Sequence, residues 1–165
     1  MMIKIDVGCG TQKKKGFIGI DREKCKGVNI VADITKKQLP YKKSEVDEIF
    51  CKSMLEHLDS IDVVMQEFHR VVKPGGRITI ITPYWKHPVT HQPFHKLYFG
   101  KNSLDMYFRK TNRMAETYPQ FKCHNKGYLD YDLNAKFIYR LKWYENFFSW
   151  FFPARFVKWE ISPIK

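Results

Sequence analysis

Acidic residues are scarce in this chain of 165 residues: 17 Asp and Glu stand against 29 Lys and Arg, for a formal net charge of +12. Such an excess favours an anionic partner, whether nucleic acid, a phosphorylated small molecule or an acidic membrane face, and says nothing about fold. Cysteine is scarce as well. Cys9, Cys25, Cys51 and Cys123 form no C-x-x-C pair or other metal-ligand spacing, and Cys123-His124 has no second pair to complete a site. No metal is therefore expected, and the thiols read as reduced, in a cytoplasmic protein. No stretch approaches the ~18 apolar residues of a membrane span, and no apolar run near the start reads as a signal peptide. Internal repeats and low-complexity linkers are absent too.

What is present is an ordinary globular balance, 44% hydrophobic and 28% charged, at a length that fits one domain over residues 1–165. Five short β-type runs open the chain: Ile3 to Val7, Phe17 to Ile20, Val28 to Ala32, Val46 to Cys51 and Arg77 to Thr82. Four of the five run directly into Gly, Asp or Pro, as strands tipping into loops do. Between the last two, Ile61, Val64, Met65, Phe68, Val71 and Val72 recur at helical spacing. Asp59 or Ser60 can cap that helix, and Lys73-Pro74-Gly75-Gly76 should stop it.

Strands alternating with crossovers predict a largely parallel α/β sheet covered on both faces. One joint is weak, because only the six residues Thr11 to Gly16 separate Gly10 from Phe17, too few for a crossover helix. Beyond Pro83 the spacing predicts a loop over Tyr84 to Gly100, a short helix over Asn102 to Lys110 and a strand within Gln120 to Asp132. A helical stripe through Phe137, Leu141, Tyr144, Phe148 and Phe151 then ends at Pro153, and Phe156 to Ile161 reads as a last strand. Up to Pro83 there are 15 basic and 11 acidic residues, or +4; the remainder has 14 and 6, or +8.

Ligands of an open α/β sheet sit at the carboxyl ends of its strands. Standing there are Gly8-Cys9-Gly10, Asp21, Asp33, Lys52-Ser53 and Pro83-Tyr84. Glycines let a ligand approach the backbone, one carboxylate can accept from a ribose diol, and a second can accept from an adenine amino group. The set describes a pocket for an adenosine-containing molecule. A dinucleotide fingerprint would need a third glycine where Lys13 stands, and the phosphate loop of nucleotide hydrolases is absent, so NAD and ATP lose ground.

Asp6-Val7-Gly8-Cys9-Gly10-Thr11, Gly19-Ile20-Asp21, Val31-Ala32-Asp33, Glu56-His57-Leu58 and Arg70-Val71-Val72-Lys73-Pro74-Gly75-Gly76 stand in order. Over about residues 3–83 the chain thereby resembles the class I S-adenosylmethionine-dependent methyltransferases, specifically the type-11 group. The resemblance implies a Rossmann-like, seven-stranded, mostly parallel sheet of order 3-2-1-4-5-7-6, strand 7 antiparallel, with helices on both faces. Residues 1–83 would form the cofactor-binding half and residues 84–165 the acceptor side. It implies S-adenosylmethionine as cofactor and S-adenosylhomocysteine as product. Gly8 and Gly10, with Cys9 between, would line the methionine end, and Asp6 would order that loop. Asp21, followed by Arg22, would bind the ribose; Asp33 and Ile34 would hold adenine; Lys52 and Ser53 would lie near the sulfonium. Two departures stand out. The family's usual helices ahead of the first strand are missing, which implies an acceptor site that is open or completed by a partner. The loop Thr11 to Gly16 replaces the usual first helix, with Lys13, Lys14 and Lys15 as candidates to replace part of its contacts.

Methyl transfer needs alignment above all, worth up to roughly 7–11 kcal/mol, and a base where the acceptor carries a proton. His57, His91 and His95 are the candidate bases, each weighed against a packing role; His91 and His95 share a face if their segment is helical, but no third metal ligand is evident beside them. Tyr84 and Trp85 would stand at the pocket mouth on the acceptor side, or pack in the core. His69 reads as surface. The run Phe147 to Phe152 reads as a core helix in preference to a docking surface, and the lysine runs as solvated charge. The acceptor expected is a small molecule, anionic in view of the +8 half. The alternatives are an RNA or protein substrate on an open site, and a non-catalytic cofactor-binding subunit of a partner complex.

Overall fold

The β-branched runs pair into one sheet in the computed structural model, which describes residues 2–108, 118–130 and 154–165. Its strands are β1 (Lys4–Val7), β2 (Ile18–Asp21), β3 (Ile30–Val31), β4 (Val46–Lys52), β5 (Val72–Pro83), β6 (Phe121–Asp130) and β7 (Phe156–Pro163). The order is β3-β2-β1-β4-β5-β7-β6. The pairings from β3 to β5 are parallel, and β7 runs antiparallel to both neighbours. This is the expected topology.

The weak joint holds without a helix. β1 and β2 pair in parallel register, Ile5 with Ile18 and Val7 with Ile20. The loop between them is tied down at both ends: Gly8 N donates to Ile20 O at 2.8 Å, and Lys14 N donates to the Asp6 carboxylate at 2.7 Å. The Lys14 ammonium lies 4.5 Å and 4.2 Å from the ring centroids of Phe17 and Phe50, so its charge sits on an aromatic platform.

α1 (Asp62–Val71) is the one α-helix among the described residues, and Val64, Met65, Phe68 and Val71 are fully buried in the core, as their spacing predicts. Ser60 Oγ accepts from Asp62 N at 3.2 Å, and the buried Tyr107 hydroxyl donates to the Asp62 carboxylate at 2.6 Å. The helix ends earlier than the sequence suggests, because Val72 already pairs with Val46. Lys73-Pro74-Gly75-Gly76 forms a bulge inside β5, with Gly75 at φ +74°, before pairing resumes at Glu48 and Arg77. His69 is a correction: it is not free surface, for its Nε2 lies 2.7 Å from Ile164 O and its ring meets the edge of Phe121. On β7, Val157, Trp159 and Ile161 alternate into the core, each fully buried. Of the helix expected over 102–110, residues 102–108 hold a single 3-10 turn, Asp105–Tyr107. The stripe from Phe137 to Phe151, the run Phe147 to Phe152, and residues 109 and 110 lie outside the described residues.

Candidate functional site

A cavity of about 650 Å³ opens at the carboxyl ends of β1, β2 and β4, within the size range of small-molecule sites. Gly8, Gly10, Asp21, Arg22, Asp33, Ile34 and Ser53 line it from the strand ends, as their positions predict. Gly8 has φ +72°, and a Cβ there would lie 2.4 Å from Met54 Cγ, so a side chain is excluded twice over. Gly10, at φ +47°, has open space where its Cβ would be. Ser53 also holds a left-handed backbone, φ 52°, at the turn that leaves β4.

The carboxylates of this wall are engaged by backbone. Asp21 accepts from Gly10 N at 2.9 Å and from Glu23 N at 3.1 Å, which draws the glycine loop onto the end of β2. Each oxygen keeps a lone pair for a further donor, as a ribose diol would supply. Asp33 accepts from Thr35 N and Oγ1 at 3.0 Å and 2.6 Å, and these contacts hold its carboxyl below the usual range. Asp6 is buried beneath the loop; desolvation raises its pKa, and the Lys14 N–H offsets part of the rise. Burial pushes the Cys9 thiol up to about 11, leaving it a packing group beside Gly19.

Several expected residues stand elsewhere. Asp6, Cys9 and Lys52 are not in the cavity lining, and Lys52 Nζ lies over the Phe156 ring, 5.2 Å from its centroid. Tyr84 and Trp85 do not line it either: Tyr84 is buried, with its carbonyl accepting from Thr90 Oγ1 at 2.7 Å, and Trp85 is exposed beside Lys86. None of Lys13, Lys14 and Lys15 reaches it; Lys13 Nζ donates to Asn29 Oδ1 at 3.0 Å, and Lys14 sits on its aromatic platform. His91 and His95 do not share a helix face. A 3-10 turn, Pro88–Thr90, ends at His91, which is exposed against Tyr98, while His95 turns inward and is 9% exposed.

His95 meets His57 instead, with ring centroids 4.9 Å apart. His57 lines the cavity from the 3-10 turn Leu55–His57; burial lowers its pKa, and the Phe94 carbonyl 3.4 Å from its Nδ1 works the other way. Lys96 lines the same wall, paired with Asp59 at 2.7 Å. Glu56 carried no assigned role in the sequence, although it stands in a motif quoted for the resemblance. Its side chain is 1% exposed and neither carboxylate oxygen has a hydrogen-bond partner. Burial pushes its pKa up to about 7, offset in part by its own backbone N–H.

Residues 9–80 match the family model described as a methyltransferase domain. The match covers less than half of the chain. Over 65 residues the chain is also 35% identical to the ubiquinone/menaquinone biosynthesis C-methyltransferase UbiE of Rubrivivax gelatinosus, which is 38% of this chain and 24% of that protein. The chain thus spans about a quarter of the length of the curated relative it matches. Its fold is that of a SAM-dependent methyltransferase from Archaeoglobus fulgidus, with TM-score 0.65, 17% identity, and coverage of 97% of this chain and 85% of the other. It is similar also to a chain in the complex between the Haloferax volcanii Trm112 methyltransferase activator and a methyltransferase, with TM-score 0.60, 13% identity, and coverage of 99% and 83%. In the methyltransferase fold the cavity lies where the switch between β1 and β4 opens the sheet, the place such sheets bind their ligands. No helix among the described residues is long and apolar enough to cross a membrane.

Proposed function

We propose that this chain is an S-adenosylmethionine-dependent methyltransferase that holds the cofactor against Gly8, Gly10, Asp21 and Asp33. The observation that carries the reading is a methyltransferase family segment whose glycine loop and two acidic strand ends converge on one cavity of about 650 Å³. The cofactor would supply an electrophilic methyl group on a sulfonium, which leaves as a neutral thioether. Gly10 presents bare backbone to the cavity, and Asp21 fixes that backbone while offering lone pairs to a diol. Ile34, 7% exposed, gives an apolar seat for a planar base, with Asp33 beside it. The acceptor would enter from the opposite wall, where His57 and Lys96 stand. An anionic small molecule suits the cation on that wall and the +8 half of the chain that supplies it.

Thermal denaturation tests the cofactor. A ligand at about 100 times its dissociation constant should stabilise the fold by roughly 2.7 kcal/mol. S-adenosylmethionine and S-adenosylhomocysteine are expected to raise the melting temperature, and Asp21→Ala to remove most of the rise. A rise with NAD and none with either of these two would overturn the reading.

A further inference from the structure

Glu56 presents a carboxylate to the interior with no donor for either oxygen. Buried carboxylates are costly unless they are paired, hydrogen-bonded or bound to a metal. Among the described residues, one oxygen of Glu56 and one ring nitrogen each of His57 and His95 lie within 4.8 Å of one another.

Backbone carbonyls set the two rings. Thr90 O lies 2.9 Å from His95 Nδ1, and Phe94 O lies 3.4 Å from His57 Nδ1. A carbonyl only accepts, so each Nδ1 carries the proton and each Nε2 keeps the lone pair. An imidazole whose second nitrogen donates to a backbone carbonyl is the usual state of a metal-binding histidine. Thr90 is itself fixed, its hydroxyl donating to Tyr84 O at 2.7 Å and its N–H to His87 O at 2.9 Å. Glu56 O accepts from Lys96 N at 2.7 Å and Leu97 N at 3.1 Å, so the segment carrying His95 is sewn onto the turn carrying Glu56 and His57.

We propose that Glu56, His57 and His95 form a binding site for one divalent transition-metal ion of the zinc class, with an open coordination position toward the cavity. Two imidazoles with one carboxylate suit zinc or cobalt, whereas magnesium and calcium prefer oxygen ligands alone. Three protein ligands leave room for a fourth from solvent or substrate, and His57 already lines the cavity. An ion held there would seat an oxygen or nitrogen of the acceptor and make its proton easier to lose. That role rests on the methyltransferase reading; the binding of the ion does not.

The test is metal binding by the full chain after treatment with chelator. Zn²⁺ titrated by calorimetry, with metal analysis after dialysis, is expected to bind one ion per chain. Co²⁺ in its place should give visible ligand-field bands without a thiolate charge-transfer band, since no cysteine takes part. Glu56→Gln and His95→Ala should each weaken Zn²⁺ binding by about 10-fold or more while melting cooperatively. If either fails to melt cooperatively, His57→Gln, at a half-buried position, is expected to show the same loss. Zn²⁺ affinity unchanged in the folded variants, a thiolate band with Co²⁺, or no Zn²⁺ binding by the parent chain would each overturn the site. Zn²⁺ binding with no response to S-adenosylmethionine would overturn the methyltransferase reading and leave the metal site standing.

Discussion

Two glutamates are buried within one stretch of this chain, and they are built in opposite ways. Glu67, on α1, is 6% exposed and meets three donors: Leu39 N at 2.6 Å, Arg70 Nη2 at 2.6 Å and Arg70 Nε at 2.7 Å. Arg70 continues to Tyr41 O and Leu39 O, so the pair clamps the segment after β3 against the helix. Glu56 is more deeply buried and meets none. The first carboxylate has its partners within the fold and belongs to the scaffold. The second has two lone-pair-bearing imidazoles beside it, which are partners for a cation and not for an anion. A buried charge that stability does not explain is a candidate for function.

The largest expected effect breaks the scaffold member. Arg70→Met strips Glu67 of its cation and leaves an uncompensated buried charge, for an expected loss of about 3–5 kcal/mol in denaturant unfolding. A loss under about 1 kcal/mol would mean that the clamp is worth no more than a surface pair.

A smaller effect comes from Glu56→Gln. With no donor to lose, the metal-free variant is expected to unfold within about 1 kcal/mol of the parent, or at higher denaturant. A loss above about 2 kcal/mol would show that Glu56 has a structural partner and would erase the contrast with Glu67.

The smallest effect lies at the cavity rim. The Thr35 hydroxyl, then its backbone N–H, lower the Asp33 pKa from its usual 3.8. The folded state therefore holds the carboxylate more readily than the unfolded chain does. Its contribution is complete above the unfolded value and lost as pH falls through the folded one. Asp33→Asn should flatten that part of the acid limb in a pH series of melting temperatures; an unchanged limb would show that Thr35 contributes nothing.

The strand-end wall of the cavity was largely legible because its chemistry is local. Gly8, Gly10, Asp21, Asp33 and Ile34 each end a strand or follow one within three residues, and strand ends are where such sheets bind ligands. Lys52 ends a strand and Tyr84 and Trp85 follow one, yet none lines the cavity, because position along a strand does not say to which face a side chain turns. Lys14 stays out of the cavity for a similar reason: it is held by Phe17 and Phe50, residues on two different strands or their flanks. The opposite wall was opaque. His91 and His95 suggest a pair by spacing, but the 3-10 turn before them stops at His91, no helix continues to His95, and His95 finds His57 instead.

By itself the sequence determined the strand pattern, the order of the motifs and the acidic strand ends, since those follow from periodicity and from which residues tolerate a turn or a positive φ. Only the tertiary structure decided which carboxylates are satisfied. Whether a buried glutamate meets an arginine, as Glu67 does, or two imidazoles, as Glu56 does, depends on segments far apart in the chain and brought together by the sheet. A desolvated charge is governed by what surrounds it in space, and no spacing along the chain records that.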